Sequence, residues 1–399
     1  MPFRESCPVE ERIALMRAYE SGSFSVMELC ARYGISRETF YVWKRRRDGG
    51  AERWFEEVSR TPLATPHATA ADVVGAIVAM RSRFPRFGPK KIKARLGLDR
   101  PDVAWPAAST IGEILKREGL SAARSRRRPV EQGEIVAGAH EPNGEWAIDF
   151  KGWFRTADGA RCDPLTVSDT ASRYLIETRI TQPTHAGTKR VLEQAFARVG
   201  LPEAIRSDNG SPFGSTGAGG LSRLSVWLLK LAIEVRFIPP SSPQDNGRHE
   251  RLHRTMKEET ARPPARSRAE QQARFDAFRK AYNEQRPHEA LGQTPPASRW
   301  QAPRRRLPAR LDEPWYDADH EVRRVRPNGE IKWRGGLVFV GEALAGEPIG
   351  LIEHERGGHL VRFCGRNLGL VDRTGRFHRF APPRWRLRSA PEPDRTDEE

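Results

Sequence analysis

Three carboxylates lie at positions from which their oxygens could bind a ligand. Asp149 lies within the apolar and aromatic stretch 145–154, where a carboxylate without a partner would be costly to bury. Asp208 follows a short apolar strand at a Ser-Asp-Asn-Gly turn, and open α/β sheets usually bind ligands at this end of a strand. Glu250 lies in a very polar stretch, 248–259, that we predict to be a helix.

Two strands and one helix would thus supply the oxygen ligands that Mg²⁺ prefers. In a two-metal site the ions lie roughly 3.5–4 Å apart and stabilise the attacking and leaving oxygens of a phosphoryl transfer. Arg254 and Lys257 follow Glu250 at i+4 and i+7, so they share its helix face. We expect both cations to hold a DNA backbone beside the metals.

Each carboxylate also has a simpler structural explanation. Asp149 could face solvent from an edge strand, Asp208 could be a turn residue, and Glu250 could belong to a surface helix with many salt bridges. The occurrence of all three in this order favours a site. Three further carboxylates stay open as caps, turn residues or alternative ligands: Asp163, Asp169 and Asp245.

The chain is strongly basic. Its 399 residues include 68 Lys and Arg against 52 Asp and Glu, a net charge of +16 with a pI near 10.2. This excess predicts a polyanionic partner, above all nucleic acid. No apolar run approaches the roughly 20 residues that span a bilayer, so we expect no membrane partner and a cytoplasmic, nucleoid-associated protein. The four cysteines are too widely spaced for a zinc knuckle and are expected to be reduced.

The N-terminal segment 1–59 has the pattern of a helix-turn-helix domain. Ser25 and Glu28 have capping-box spacing, and Ser36 is placed to cap a third, basic helix. In this motif the last helix enters the major groove of DNA. The alternative is a small bundle whose basic end only meets solvent. The DNA contacts predicted on the third helix are Arg37, Thr39, Tyr41, Lys44 and Arg45.

A second helical unit is predicted over 70–128, after a proline-containing linker at 60–69. Its second helix opens at Pro89, which suits the first helical position. Lys90 and Lys91 follow and are predicted DNA contacts, as is the basic tail 124–128. The unit is predicted to be another helix-turn-helix.

The sequence of the remaining chain predicts three further structural regions. Short β-rich runs and helices over 141–297 indicate an α/β sheet layered with helices. Beyond an Arg/Pro-rich linker, short runs separated by Gly or Pro predict a small β barrel over 312–385. The acidic end, 386–399, is expected to be disordered. The fold class expected overall is therefore a multidomain α+β protein.

Four stretches together resemble the integrase-core transposases of bacterial insertion sequences, which are relatives of retroviral integrases. They are Trp-Ala-Ile-Asp-Phe at 146–150, Ser-Asp-Asn-Gly-Ser-Pro-Phe at 207–213, the run 242–253, and Tyr-Asn-Glu-Gln-Arg-Pro-His at 282–288. The resemblance implies a ribonuclease-H-like core, a catalytic triad of Asp149, Asp208 and Glu250, and Mg²⁺ or Mn²⁺ as cofactor. It also implies that Lys257 contacts DNA.

Two features depart from that family. The 41 residues between Asp208 and Glu250 exceed the commonest family spacing, and we place the surplus in the Gly-rich interval 215–220, since loop closure entropy rises slowly with length. The zinc domain of the retroviral relatives has no counterpart among these cysteines.

The expected function is metal-dependent cleavage at the ends of a mobile element, followed by transfer of the 3′-OH into target DNA. Double-stranded DNA, comprising element ends and target, and further copies of the chain are the expected partners. Two alternatives stay open: a non-catalytic DNA-binding regulator, and a ribonuclease-H-like nuclease without strand transfer.

Overall fold

The computed structural model describes residues 7–57, 68–121, 141–238, 247–355 and 357–380. It divides the chain into two compact units, Met1–Thr69 and Ala70–Glu399. Most of the predicted linker 60–69, the basic tail 124–128, Asp245 and the acidic end 386–399 lie outside the described residues. The finer division into domains stays a prediction.

The first unit contains three helices: α1 Pro8–Glu20, α2 Val26–Tyr33 and α3 Arg37–Asp48. Ser25 and Glu28 form the predicted capping box at the start of α2, and the Ser36 side chain accepts from the Thr39 amide at the start of α3. Between them, Gly34 takes the left-handed conformation that ends α2 (φ +63°). The helices enclose a core of Leu15, Met16, Leu29, Cys30 and Phe40.

The second unit begins with three more helices: α4 Ala71–Arg83, α5 Pro89–Asp99 and α6 Ala108–Arg117. Pro89 opens α5 as predicted, and Ile77, Ile92 and Ile111 lie fully buried between the helices. The Arg95 Nη1 donates to the Glu284 carbonyl oxygen over 3.3 Å, so α5 contacts the segment that follows.

A five-stranded mixed sheet forms the centre of that segment. Its strands are β1 Trp146–Phe150, β4 Pro164–Asp169, β5 Leu175–Ile180, β6 Ala204–Ser207 and β7 Glu234–Phe237, in the order β5-β4-β1-β6-β7. The pairs β1–β4 and β4–β5 are antiparallel, whereas β1–β6 and β6–β7 are parallel. A small hairpin, β2 Phe154–Arg155 and β3 Arg161–Cys162, interrupts the predicted β-rich run after β1.

Helices cover both faces of this sheet. They are α7 His185–Val199, α8 Arg223–Lys230, α9 Gly247–Thr260 and α10 Arg268–Glu284. Ile176 packs in the cluster of α7 and α8, while its neighbour Leu175 packs with α9 and α10. Successive strand residues point to opposite faces, so the two helix pairs lie on opposite sides of the sheet. The predicted layered α/β core is confirmed.

The C-terminal strands do not close into the predicted small β barrel. They are β8 Glu321–Arg324, β9 Glu330–Trp333, β10 Gly336–Phe339, β11 Pro348–Glu353, β12 His359–Phe363, β13 Arg366–Val371 and β14 Phe377–Arg379. Five form an open sheet, β14-β13-β12-β11-β8, and β9 and β10 form a separate hairpin. Ala218, Leu221 and Val226 from the α/β core cover part of the apolar surface of these strands. The described strands therefore bury their apolar side chains without closing into a barrel.

The Gly-rich interval therefore has a structural role. Residues Ala218–Gly220 form one buried 3₁₀ turn, and Gly219 has φ +61°. A Cβ atom on Gly219 would lie 3.2 Å from Leu368 Cδ2, so the turn sits directly against the C-terminal sheet. The interval that the sequence suggested as a tolerated loop is a packing contact.

Candidate active site

Asp149 lies on β1, and Asp208 directly follows β6, the parallel neighbour of β1. Trp146 pairs with Ile205 and Ala147 with Arg206, so the same register places Asp208, just beyond β6, beside Asp149 on β1. Neighbouring strands are about 4.8 Å apart. The Asp149 side chain is 20% exposed and Asp208 is exposed, so both carboxylates reach solvent at the same end of the two strands.

Asp208 is both a turn residue and an accessible carboxylate. Its Oδ1 accepts from the Gly210 amide over 3.2 Å, and Asn209 Nδ2 donates to the Ile238 carbonyl oxygen over 2.9 Å. These bonds fix the direction of the carboxylate relative to β7. Surrounding protein atoms raise the pKa of Asp208 by desolvation, and the Gly210 amide opposes that shift.

Helix α9 has two distinct faces. Glu250, Arg254 and Lys257 are exposed, as their i, i+4, i+7 spacing predicted. The opposite face is buried against the sheet and α10 and consists of His249, Leu252, His253, Met256 and Thr260. This burial orients α9 so that Glu250 stays on the solvent side.

A buried hydroxyl joins α9 to the strands that carry Asp149. Thr166 on β4 pairs with Asp149, and its Oγ1 lies 2.7 Å from Nε2 of both His249 and His253. A hydroxyl has one proton, so at least one ring donates through Nε2. The His253 Nδ1 lies 3.9 Å from Asp149 Oδ2. Thr166 therefore fixes the helix of Glu250 against the strand pair of Asp149.

Both histidines are neutral at physiological pH. Burial lowers the pKa of His249 to about 3, with a further contribution from the Arg206 charge. Burial also lowers the pKa of His253 to about 2, and His249 and Lys151 add to the shift. Neutral rings can share the Thr166 hydroxyl without bringing an unpaired charge into the interior.

The two alternative carboxylates that the structure describes have structural partners. Asp163 accepts two bonds from Arg161, Nε to Oδ2 at 2.9 Å and Nη2 to Oδ1 at 2.7 Å. Asp169 is 1% exposed and accepts from the amides of Asn143 and Ser172, while burial raises its pKa. These contacts favour the structural explanation for both residues.

The donor chemistry of Asp149, Asp208 and Glu250 fits hard divalent cations, because all three offer accessible carboxylate oxygens. Over the described ranges, the three carboxylates do not bring their oxygens within 4.8 Å of one another. Among the described residues, the potential metal ligands that do lie within 4.8 Å of one another are Asp317, Asp319 and His320. In that group, Arg362 Nη1 lies 3.5 Å from His320 Nε2. That positive charge disfavours a cation there.

The predicted DNA contacts differ in how accessible they are. Arg37, Tyr41 and Arg45 recur every four residues and are exposed on one face of α3. Thr39 shares a hydrogen bond with Ser36, and Lys44 Nζ donates to Asp48 over 2.6 Å.

In the second helical unit, Lys90 forms a 3.1 Å ion pair with Glu289. Burial and the Arg286 charge lower the pKa of Lys91 to about 8. Lys90 is therefore exposed but paired, and Lys91 is half-buried, whereas Arg37, Tyr41 and Arg45 share one exposed face of α3.

Sequence reasoning missed Thr166 and the carboxylate of Glu145. Glu145 is buried, and its Oε2 lies 3.1 Å from Arg236 Nη1 and its Oε1 3.5 Å from Arg206 Nη1. This charge cluster joins the segment before β1 to β6 and β7. Only the i, i+4 spacing of His249 and His253 in a polar helix signalled a buried anchoring face.

Family models match the central sheet region and the N-terminal helices, and several known proteins are similar to this chain. Two models described as "Integrase core domain" match residues 139–243 and 231–296, and a "Helix-turn-helix domain" model matches residues 11–53. The insertion element IS476 uncharacterized 39.2 kDa protein of Xanthomonas euvesicatoria is 25% identical over 292 residues, 73% of this chain and 76% of that protein.

A viral relative matches slightly less than half of the chain. The Gag-Pol polyprotein of baboon endogenous virus is 31% identical over 189 residues, which are 46% of this chain but 10% of the polyprotein. The simian T-cell lymphotropic virus intasome in complex with a PP2A regulatory subunit is similar with a TM-score of 0.37 and 17% identity, over 71% of this chain and 91% of that chain.

The fold and the family models define a protein with an integrase core and an N-terminal helix-turn-helix domain. The chain contains an integrase core and is similar to proteins of bacterial insertion elements and to retroviral polyproteins. Integrase cores are polynucleotidyl transferases. Within the described part of the chain, the helices are all too short or too polar to cross a membrane.

Proposed function

We propose that this chain cleaves a phosphodiester at each end of a mobile DNA element and joins the freed 3′-OH to target DNA. The observation that carries the proposal is the register of β1 and β6, which sets Asp149 and Asp208 side by side. Glu250 lies on the helix whose buried face is bonded to Thr166, the strand partner of Asp149.

Asp149, Asp208 and Glu250 would hold two divalent ions, Mg²⁺ or Mn²⁺. When bound, these ions stabilise the attacking and leaving oxygens of the phosphoryl transfer. The three carboxylates bind through oxygen, and the Gly210 and Asn209 contacts limit the motion of the Asp208 turn. Exposed Arg254 and Lys257 lie on the face of Glu250 and would contact the phosphates of the bound strand.

The helix-turn-helix domain would recognise the element ends. Arg37, Tyr41 and Arg45 form its exposed stripe on α3, where base edges of a major groove would lie. The other proposed DNA contacts would first have to leave their present partners within the protein. They are Thr39, Lys44, Lys90 and Lys91. Two ends must meet during transfer, so we also propose that copies of the chain assemble on DNA.

The test is an end-cleavage and strand-transfer assay on DNA carrying the element ends, with Mg²⁺ or Mn²⁺. Asp208→Asn and Glu250→Gln should abolish both products while end binding persists. Glu203→Gln is the matched control, because Glu203 is an exposed acid at the opposite end of β6 and should leave activity unchanged. Undiminished cleavage by Asp208→Asn would refute the proposal.

The assay also separates the two alternatives. Cut ends without joined product would identify a nuclease without strand transfer. Specific end binding by the wild-type chain without any cleavage under either metal would identify a DNA-binding regulator.

A further inference from the structure

An exposed tryptophan lies beside the candidate active site. Trp153 is 57% exposed, whereas Trp146, Trp227 and Trp333 are buried in cores. Trp153 comes three residues after β1, the strand of Asp149.

Fixed guanidinium groups surround the indole. The Cζ atoms of Arg155 and Arg161 lie 5.7 and 5.2 Å from its ring centroid. Arg155 Nη1 donates to the Gly159 carbonyl oxygen over 2.7 Å, and Arg161 is bound by both oxygens of Asp163. Both cations are therefore held in place, and their cation–π contacts limit the motion of the ring.

The hairpin that carries these side chains is itself anchored. The Ala157 amide donates to the Ala265 carbonyl oxygen over 2.9 Å, and the Asp158 amide donates to the Arg266 carbonyl oxygen over 3.1 Å. Phe154 packs edge-on against Phe275 with ring centroids 6.4 Å apart. The Trp153 ring is thus presented on a supported surface.

This surface continues to the helix of Glu250. Lys151, Trp153 and Phe154 line a small cleft together with Met256 and Lys257 of α9. Lys257 is two helical turns from Glu250 on the same exposed face. An aromatic ring and two lysines therefore lie along one path that leads from the candidate active site.

An exposed aromatic ring within a basic groove suits single-stranded nucleic acid, because bases stack on the ring while cations contact phosphates. Bases inside a duplex are already stacked and do not offer a face. We infer that Trp153 stacks on an unpaired base of a DNA strand at the active site, with Arg155, Lys151 and Lys257 along its phosphates. This inference rests on the proposed function, since it names the form of DNA that the same site takes.

The test compares two DNAs that share one duplex sequence and differ in whether the terminal three bases of one strand are unpaired. Binding of the full chain is followed by fluorescence anisotropy in Ca²⁺, so that cleavage is not needed for the readout. We expect the wild-type chain to bind the DNA with unpaired bases about tenfold more tightly, in the range of one stacked base. Trp153→Ala should abolish this preference and leave duplex affinity within about twofold, while Trp153→Phe should retain part of it.

Trp315→Ala is the matched control, because Trp315 is 81% exposed and lies outside the integrase core. A 2-aminopurine in the unpaired segment should be quenched by wild type and by Trp315→Ala but not by Trp153→Ala. A Trp153→Ala variant that keeps both the preference and the quenching would overturn the inference.

The result of this binding test can be distinguished from the result of the cleavage assay for the proposed function. If Asp208→Asn keeps the preference for unpaired bases and Trp153→Ala loses it, stacking is supported whether or not cleavage occurs. If wild type cleaves and joins DNA but binds both DNAs equally, only the stacking inference fails.

Discussion

Thr166→Val removes one buried hydroxyl while conserving the shape of the side chain. Thr166 is fully buried, and its Oγ1 is 2.7 Å from two ring nitrogens, those of His249 and His253. Valine would leave both nitrogens without this partner, and each unsatisfied buried polar group costs about 1–3 kcal/mol. The added methyl group offsets about 0.8 kcal/mol. Two such groups less this offset should lower the free energy of unfolding by about 1–5 kcal/mol.

Thr166→Ser is the matched control, because it keeps the hydroxyl and loses a methyl group. That loss costs about 1 kcal/mol. Urea denaturation followed by tryptophan fluorescence should therefore rank wild type above serine and serine above valine. Hydrogen exchange of the α9 amides should accelerate more in valine than in serine, since the lost bonds join α9 to β4. A valine variant as stable as wild type, with serine below it, would show that apolar packing alone positions the helix of Glu250.

Two further predictions concern stability. Burial lowers the pKa of three histidines: to about 3 for His249, about 2 for His253 and about 3 for His288. In the unfolded chain each pKa is about 6.5. The unfolded chain therefore binds more protons than the folded chain as pH falls below 6.5. The free energy of unfolding should then fall by up to about 1.4 kcal/mol per pH unit for each histidine, and His253→Gln should reduce that slope by one proton; equal slopes would contradict neutral burial. Gly219→Val should destabilise the chain by about 2–4 kcal/mol, because it adds a clash with Leu368 to the strain of a left-handed residue. Gly346→Val is the control, because Gly346 also has a positive φ, +85°, but no neighbour within 4 Å; equal thermal shifts for the two variants would refute the packing contact.

Much of the fold could be predicted because the helix caps and turn residues in the sequence agree with the helices that the tertiary structure contains. Ser25 and Glu28 form a capping box wherever a helix starts, and Pro89 opens a helix for reasons of backbone geometry alone. The polar helix after 246 was predicted from composition, and the structure buries a face of it that contains only two large apolar residues, Leu252 and Met256.

The C-terminal strands were predicted individually, but their arrangement was not. Alternating short runs are compatible with a barrel and with an open sheet, because each strand shows only that one of its faces is buried. The apolar surface is covered in part by Ala218, Leu221 and Val226, which lie about a hundred residues before the first of these strands. The Gly-rich composition of 215–220 predicted a loop, and it contains no signal for the partner against which that loop packs.

The sequence by itself determined the resemblance to integrase-core proteins, the order of the three carboxylates and the strands and helix that carry them, because motifs and periodicity are local properties of the chain. Only the tertiary structure decided that Asp149 and Asp208 are neighbours, since parallel register depends on which strands pair. It also decided that Thr166, a residue with no chemical signature in the sequence, fixes α9 through two neutral histidines. A buried hydroxyl acquires such a role only from the groups that surround it, and those groups come from a helix more than eighty residues away.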